Sequence, residues 1–175
     1  KFFNNNFINM KALFIGRFQP FHKGHLLVVK NILKKYDKII IGIGSSQYKD
    51  TKKNPFSAKE RIKMVEKTLK KEGIDKYKII EIPDIHNPPK WVDHVLSIFS
   101  NFDVVVTNNS FTKKLFKEKN IKVDDTPLFN KKEYSGKEIR ERIRDDQNWK
   151  NLVPEPVFKI IKESNGVERI KKFSS

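Results

Sequence analysis

Cysteine is absent from this chain. That excludes disulfide frameworks, Cys-based zinc sites and a thiol nucleophile. It fits a reducing compartment, and a cytoplasmic location is expected. Long apolar runs are missing too. No stretch approaches the roughly 18 residues of a membrane span, so no membrane partner is expected. Residues 1–9 carry neither an apolar core nor a small-residue cleavage site, and no secretory leader is expected there. They are Asn-rich without usable period, and are read as a disordered extension or tag outside the fold. Acidic residues are outnumbered, 21 Asp and Glu against 37 Lys and Arg, for a net charge of +16.

That charge has three readings: a nucleic-acid surface, attraction of small polyanions such as nucleoside triphosphates, or biased residue usage. Only six of the basic residues are Arg, and the Lys are dispersed over expected polar helix positions. A dispersed Lys surface is a solvated face rather than a binding stripe. No nucleic-acid partner is expected. The Arg are more local, since Arg140, Arg142 and Arg144 alternate within one short window. Arg offers a planar, always-charged fork for phosphate.

What the 175 residues do contain is 14 Phe and several Ile/Val runs, enough for one core. Residues 10–175 are expected to form a single domain. Short apolar runs, β-branched after the first, at 12–16, 39–44, 77–82 and 104–107 read as strands, with a short fifth strand at 121–123. Between them, helical periodicity covers 23–36, 57–72, 88–99 and 111–119. Further helices are expected at 138–146 and 155–163. Asn165 and Gly166 are read as ending the last helix, with a basic tail beyond. Ser57 with Glu60, and Ser135 with Glu138, have the spacing of reciprocal helix caps. Alternating strand and helix predict an α/β doubly wound parallel sheet, whose ligands bind beyond the carboxyl ends of the strands.

The segment after the first strand runs Gly16-Arg17-Phe18-Gln19-Pro20-Phe21-His22-Lys23-Gly24-His25. It places two of the chain's four His three residues apart at a helix start, where free N–H groups favour an anion. Gly16 allows the strand end to turn, and Gly24 allows close backbone approach. Zinc is not expected, because two His lack a third and fourth ligand nearby. The run Gly42-Ile43-Gly44 is not read as a dinucleotide fingerprint, since Gln47 stands where a third Gly belongs.

His22-Lys23-Gly24-His25 resembles the HxGH signature of the nucleotidyltransferases. The longer string resembles the archaeal-type nicotinamide mononucleotide adenylyltransferases; relatives acting on other acceptors usually carry Asp where Gln19 stands. The resemblance covers essentially residues 10–173. It implies a Rossmann-like nucleotidyltransferase fold and adenylyl transfer from ATP to nicotinamide mononucleotide, giving NAD and pyrophosphate. It implies that His22, His25 and Arg140 are catalytic. Gly16, Arg17, Phe18, Gly24, Lys53, Ser135 and Gly136 would bind ATP, which carries Mg²⁺. Ser135, Gly136 and Arg140 match the family's Ser-x-x-x-x-Arg motif, with Lys137 where Thr is usual, a position from which it could add charge to the triphosphate. Asp84, Ile85 and Trp91 match a pattern in which Trp stacks on nicotinamide, while Asn87 stands one position early. Asp84, Trp91 and Asn109 would bind the mononucleotide. Lys53 also reads as a plain surface residue, Trp91 as a packing residue and Asn109 as a turn residue. FMN or nicotinic acid mononucleotide stay open as acceptors. A homo-oligomer, commonly a hexamer, is implied by the resemblance alone.

Overall fold

The structure, a computed structural model, describes residues 9–173; most of the Asn-rich extension expected at residues 1–9 lies outside them. The chain alternates β1 (Lys11–Gly16), α1 (Lys23–Lys35), β2 (Lys38–Gly44), α2 (Ala58–Lys71), β3 (Tyr77–Ile82), α3 (Pro88–Ile98), β4 (Val104–Val106), α4 (Ser110–Glu118) and β5 (Val123–Asp124). Three helices follow: α5 (Gly136–Arg144), α6 (Glu155–Glu163) and α7 (Gly166–Lys172). The five strands form one parallel sheet in the order β3-β2-β1-β4-β5.

Side chains alternate across a strand, and each face of this sheet buries a different set. Ala12, Ile39, Ile41, Val104 and Val106 face one core, built with α1, α2, α5, α6 and α7. Leu13, Ile40, Ile80, Ile82 and Val105 face the other, closed by Val92 and Val95 of α3 and Phe116 of α4. The sheet is buried on both sides, which explains why its central strands read as unbroken apolar runs. The expected doubly wound architecture is the one observed.

The helix expected at 138–146 runs two residues earlier, as Gly136–Arg144, because Ser135 caps it, and two further expectations fail. The fifth strand is Val123–Asp124, displaced from residues 121–123. The Ile121 N–H is taken by the Phe116 carbonyl at 3.1 Å in closing α4, so pairing with Val105 begins later. The expected basic tail is α7. Asn165 turns the chain through the left-handed region (φ 53°), and a Cβ on Gly166 would lie 2.9 Å from the Ile161 carbonyl oxygen. The turn sets α7 against α6 and buries Ile170.

Arg169 on α7 reaches across to the start of α2. It forks onto both Glu60 oxygens, at 2.5 and 3.2 Å, and donates to Asp50 at 3.0 Å and to the Pro55 carbonyl at 2.6 Å. Burial alone would raise the Glu60 pKa, but Arg169 and the Ser57 N–H hold it below the usual carboxylate value. A depressed carboxylate contributes stability above its unfolded pKa and loses it as pH falls through the folded one. Arg169→Ala should cost about 1.5–3 kcal/mol in urea unfolding at neutral pH. The cost should shrink in acid as Glu60 protonates; a cost independent of pH would exclude the pair as its source.

Candidate active site

β1 and β4 are neighbours whose outgoing helices, α1 and α4, pack on opposite faces of the sheet. Such a switch point opens a crevice beyond the strand ends. A cavity of about 580 Å³ lies there, walled by Gly16 and Arg17 after β1, Ser45 after β2, Asp84 and Trp91 after β3 and Asn109 after β4.

His22 is the N-cap of α1 and His25 its third residue. The backbone N–H of His25 donates to His22 Nδ1 at 3.3 Å, and that of His22 donates to His25 Nδ1 at 3.2 Å. This is a capping box made of two imidazoles instead of Ser and Glu. Each Nδ1 is an acceptor, so a neutral ring carries its proton on Nε2. The rings stack with centroids 3.5 Å apart. Burial pushes the His22 pKa down to about 3. Burial, and then the neighbouring His22, push His25 well below the ordinary value, although part of its ring reaches the surface. The pair therefore offers two neutral Nε2–H donors at physiological pH.

The charge comes from Arg. Arg140 is the fifth residue of α5, and its Nη1 donates to the Gln19 carbonyl at 2.7 Å. Burial, and then Arg17, lower its pKa to about 10, so it stays charged at neutral pH. Ser135 caps α5 by accepting from the Glu138 N–H at 3.1 Å. The reciprocal half of the expected cap is missing, because the Glu138 carboxylate binds Arg142 at 2.8 Å instead. A Cβ on Gly136 would meet Arg140 Nη1 at 2.9 Å and the Gln19 oxygen at 3.0 Å, so only glycine lets α5 approach the loop after β1. Lys137, expected to add charge here, is exposed and lies 3.9 Å from Glu141.

Gly16 at the end of β1 and Gly24 in the first turn of α1 make room for protein rather than open space. A Cβ on Gly16 would lie 2.9 Å from the Phe18 ring, and one on Gly24 would lie 2.8 Å from Tyr134 Cβ. Tyr134 directly precedes Ser135, so Gly24 is where the starts of α1 and α5 meet. Phe18 is buried with φ 54°, and its ring packs edge-on against His25 at 4.7 Å.

At the other end, Trp91 lies edge-on to Phe116 at 5.6 Å and lines the cavity. The Asp84 backbone exchanges two hydrogen bonds with the Gln47 side chain, at 2.7 and 2.9 Å, which joins the loops after β2 and β3. Asp84 also accepts from the His86 N–H at 2.9 Å. Asn109 caps α4, its side-chain oxygen accepting from the Thr112 N–H at 2.9 Å, which leaves its amide NH₂ for a ligand. Lys53 is exposed on the loop before α2 and does not line the cavity.

Sequence reading missed two residues. Gln19 is buried, and its amide forms both hydrogen bonds of the Phe56 peptide groups, each at 2.9 Å. Arg61 is wholly buried and donates to backbone carbonyls around the β1 and β2 ends. A signal for it existed: it occupies the apolar stripe of α2 with Met64, Val65 and Leu69.

Residues 13–142 match the cytidylyltransferase-like family, and the chain belongs to that family. It is 46% identical to a nicotinamide-nucleotide adenylyltransferase of Thermoplasma volcanium, over 94% of this chain and 93% of that one. It is 47% identical to the protein of the same name from Archaeoglobus fulgidus, over 94% and 98%. A solved structure of a bifunctional NMN adenylyltransferase/ADP ribose pyrophosphatase from Francisella tularensis, complexed with AMP and a Mn ion, matches with TM-score 0.71 and 26% identity. That match covers 94% of this chain and 55% of the longer Francisella chain.

The imidazole box makes a spectroscopic prediction. Nitrogen NMR at pH 7 should show His22 and His25 as Nε2–H tautomers, with His22 still neutral at about pH 5. Folded-state pKa values below the unfolded value mean stability is full above about pH 6.5 and is lost as pH falls toward the folded values. Imidazolium signals from either residue near pH 6 would break the assignment.

Proposed function

We propose that the chain transfers the adenylyl group of ATP to nicotinamide mononucleotide, giving NAD and pyrophosphate. The observation that carries this is the meeting of two helix N-termini, two neutral imidazoles and two guanidinium groups around the loop after β1, whose Arg17 lines the same cavity as the half-buried Trp91. The family relatives named above support it. The 5′-phosphate oxygen of the mononucleotide attacks the α-phosphorus of ATP. One phosphorus–oxygen bond forms, the bond to the β-phosphate breaks, and pyrophosphate leaves. No side chain is needed as a nucleophile.

Catalysis is then positioning and charge stabilisation. His22 and His25 donate Nε2–H bonds to phosphate oxygens near the reacting centre without adding charge of their own. Arg17, Arg140 and the N-terminus of α5 at Ser135 and Gly136 hold the leaving pyrophosphate, and Phe18 offers its backbone N–H. Lys53 stands exposed on the loop before α2 and would join the triphosphate only by swinging inward from there. Trp91 stacks on the pyridinium ring, which favours an aromatic face, with Asp84 and Asn109 beside it. ATP enters as its Mg²⁺ complex, and the ion neutralises phosphate charge. Among the described residues no cluster of His, Cys, Asp or Glu is placed to hold a metal, and the groups offered to the phosphates are guanidinium, neutral imidazole and backbone N–H donors. Such a site fits an ion carried on phosphate oxygens and water. We also read residues 10–175 as one domain, because both cores share the same sheet.

Pyrophosphate release from MgATP should be measured with nicotinamide mononucleotide, nicotinic acid mononucleotide and FMN in parallel. NAD production with the first is expected; turnover only with another acceptor would overturn the acceptor. His25→Ala should lower kcat about 10²–10³-fold in folded protein. Near-normal turnover would remove His25 from the mechanism. Trp91→Ala should raise the KM for the mononucleotide while changing the KM for ATP little.

A further inference from the structure

Arg61 makes five hydrogen bonds, and every acceptor is a backbone carbonyl. Its Nη1 donates to Arg17 and Gly44 at 2.8 Å each, its Nη2 to Ser45 at 3.2 Å and Tyr48 at 3.4 Å, and its Nε to Ser57 at 3.2 Å. It is wholly buried. Burial lowers its pKa to about 10, with Glu81 opposing and Arg17 reinforcing the shift. A buried cation without a contacting carboxylate is costly to place, and packing alone would be served by an apolar side chain.

The carbonyls it gathers belong to the segments that wall the crevice. In a trans peptide the C=O and the following N–H point in opposite directions. Drawing the Arg17 oxygen onto Arg61 therefore turns the Phe18 N–H away from the guanidinium. Among the described residues that N–H meets no protein acceptor. Phe18 itself is held in the left-handed region, which a bulky residue rarely adopts without external support. The Gly44 oxygen is drawn in the same way, and Gly44 and Ser45 line the cavity.

We propose that Arg61 is a positioning residue for adenylyl transfer: it fixes the peptide planes after β1 and β2 so that the Phe18 N–H faces the phosphates. This rests on the reading of the site as an ATP site. No carboxylate contacts the guanidinium, so its charge also favours an anion such as a triphosphate on the far side of the loop.

The experiment compares Arg61→Lys and Arg61→Gln with the natural chain. Lys keeps the charge but as a point donor cannot span five carbonyls. Both variants should fold, keep the KM for nicotinamide mononucleotide, and lose about 10²-fold in kcat, the usual cost of a misplaced reacting centre. In Arg61→Ala, added ethylguanidinium should restore part of the turnover, a rescue that a purely structural defect would not show. Folded variants with near-normal kcat, or a loss that only tracks the unfolded fraction, would overturn the proposal.

Should no variant fold, the natural chain decides. Titration with MgATP must shift the Phe18 amide resonance and slow its hydrogen exchange, and an unmoved amide defeats the proposal. If the natural chain makes no NAD, the proposed acceptor reaction has failed. The same MgATP titration, with ATP affinity compared between natural chain and Arg61→Lys, then tests Arg61 separately.

Discussion

A primary amide can satisfy a backbone donor and acceptor together, and the Gln19 side chain does this for Phe56 in a fully buried setting. Its own backbone carbonyl takes the Arg140 guanidinium. One residue in the loop after β1 thus joins the start of α2 to the side chain that α5 sends across. Remove that amide and two backbone groups lose partners where water cannot replace them. The catalytic loop, the approach to α2 and the Arg-bearing helix would lose their common register. Gln at this position is a joint between elements and leaves the phosphates to others.

The site divides its labour by protonation. Guanidinium groups stay charged through the burial around them and supply long-range attraction. The imidazoles are held neutral by the same burial, and by a cap that commits each Nδ1 to a backbone N–H. In the proposed reaction, neutral donors close to the reacting phosphorus would give direction without drawing the triphosphate into a deeper ground-state well. The net positive charge of the chain fits this picture as steering toward an anionic substrate.

Much of this was legible in the residues. The four short apolar runs were recognisable as strands, and β3 falls where its pattern places it. His22, His25, Ser135 and Arg140 were readable because each sits at a helix start or one turn inside it, where local spacing has chemical meaning. What escaped depends on contacts far apart in sequence. Gln19 meets Phe56 only after β2 has crossed beside β1, and Arg61 stands out in the apolar stripe of α2 but has no visible partner until the carbonyls of two other segments surround it. The α7 helix escaped because its single deeply buried side chain, Ile170, gives no periodic signal in a basic segment. The Ser135 cap was readable, but the diversion of Glu138 to Arg142 was a competition between neighbours that spacing alone does not decide.

β1 is the first strand in the chain and the middle strand of the sheet. Ala12 pairs with Ile39 on one side and with Val104 on the other. One ladder closes a short loop, but the other waits for nearly the whole α/β array to be synthesised and folded. Contacts of such long sequence separation slow folding, because loop entropy is spent before they form. The crevice lies across that later seam, between β1 and β4. A chain emerging from the ribosome would therefore hold a half-sheet with no binding site until β4 docks. Substrate would bind only the finished seam, and by mass action would favour the state in which it has closed.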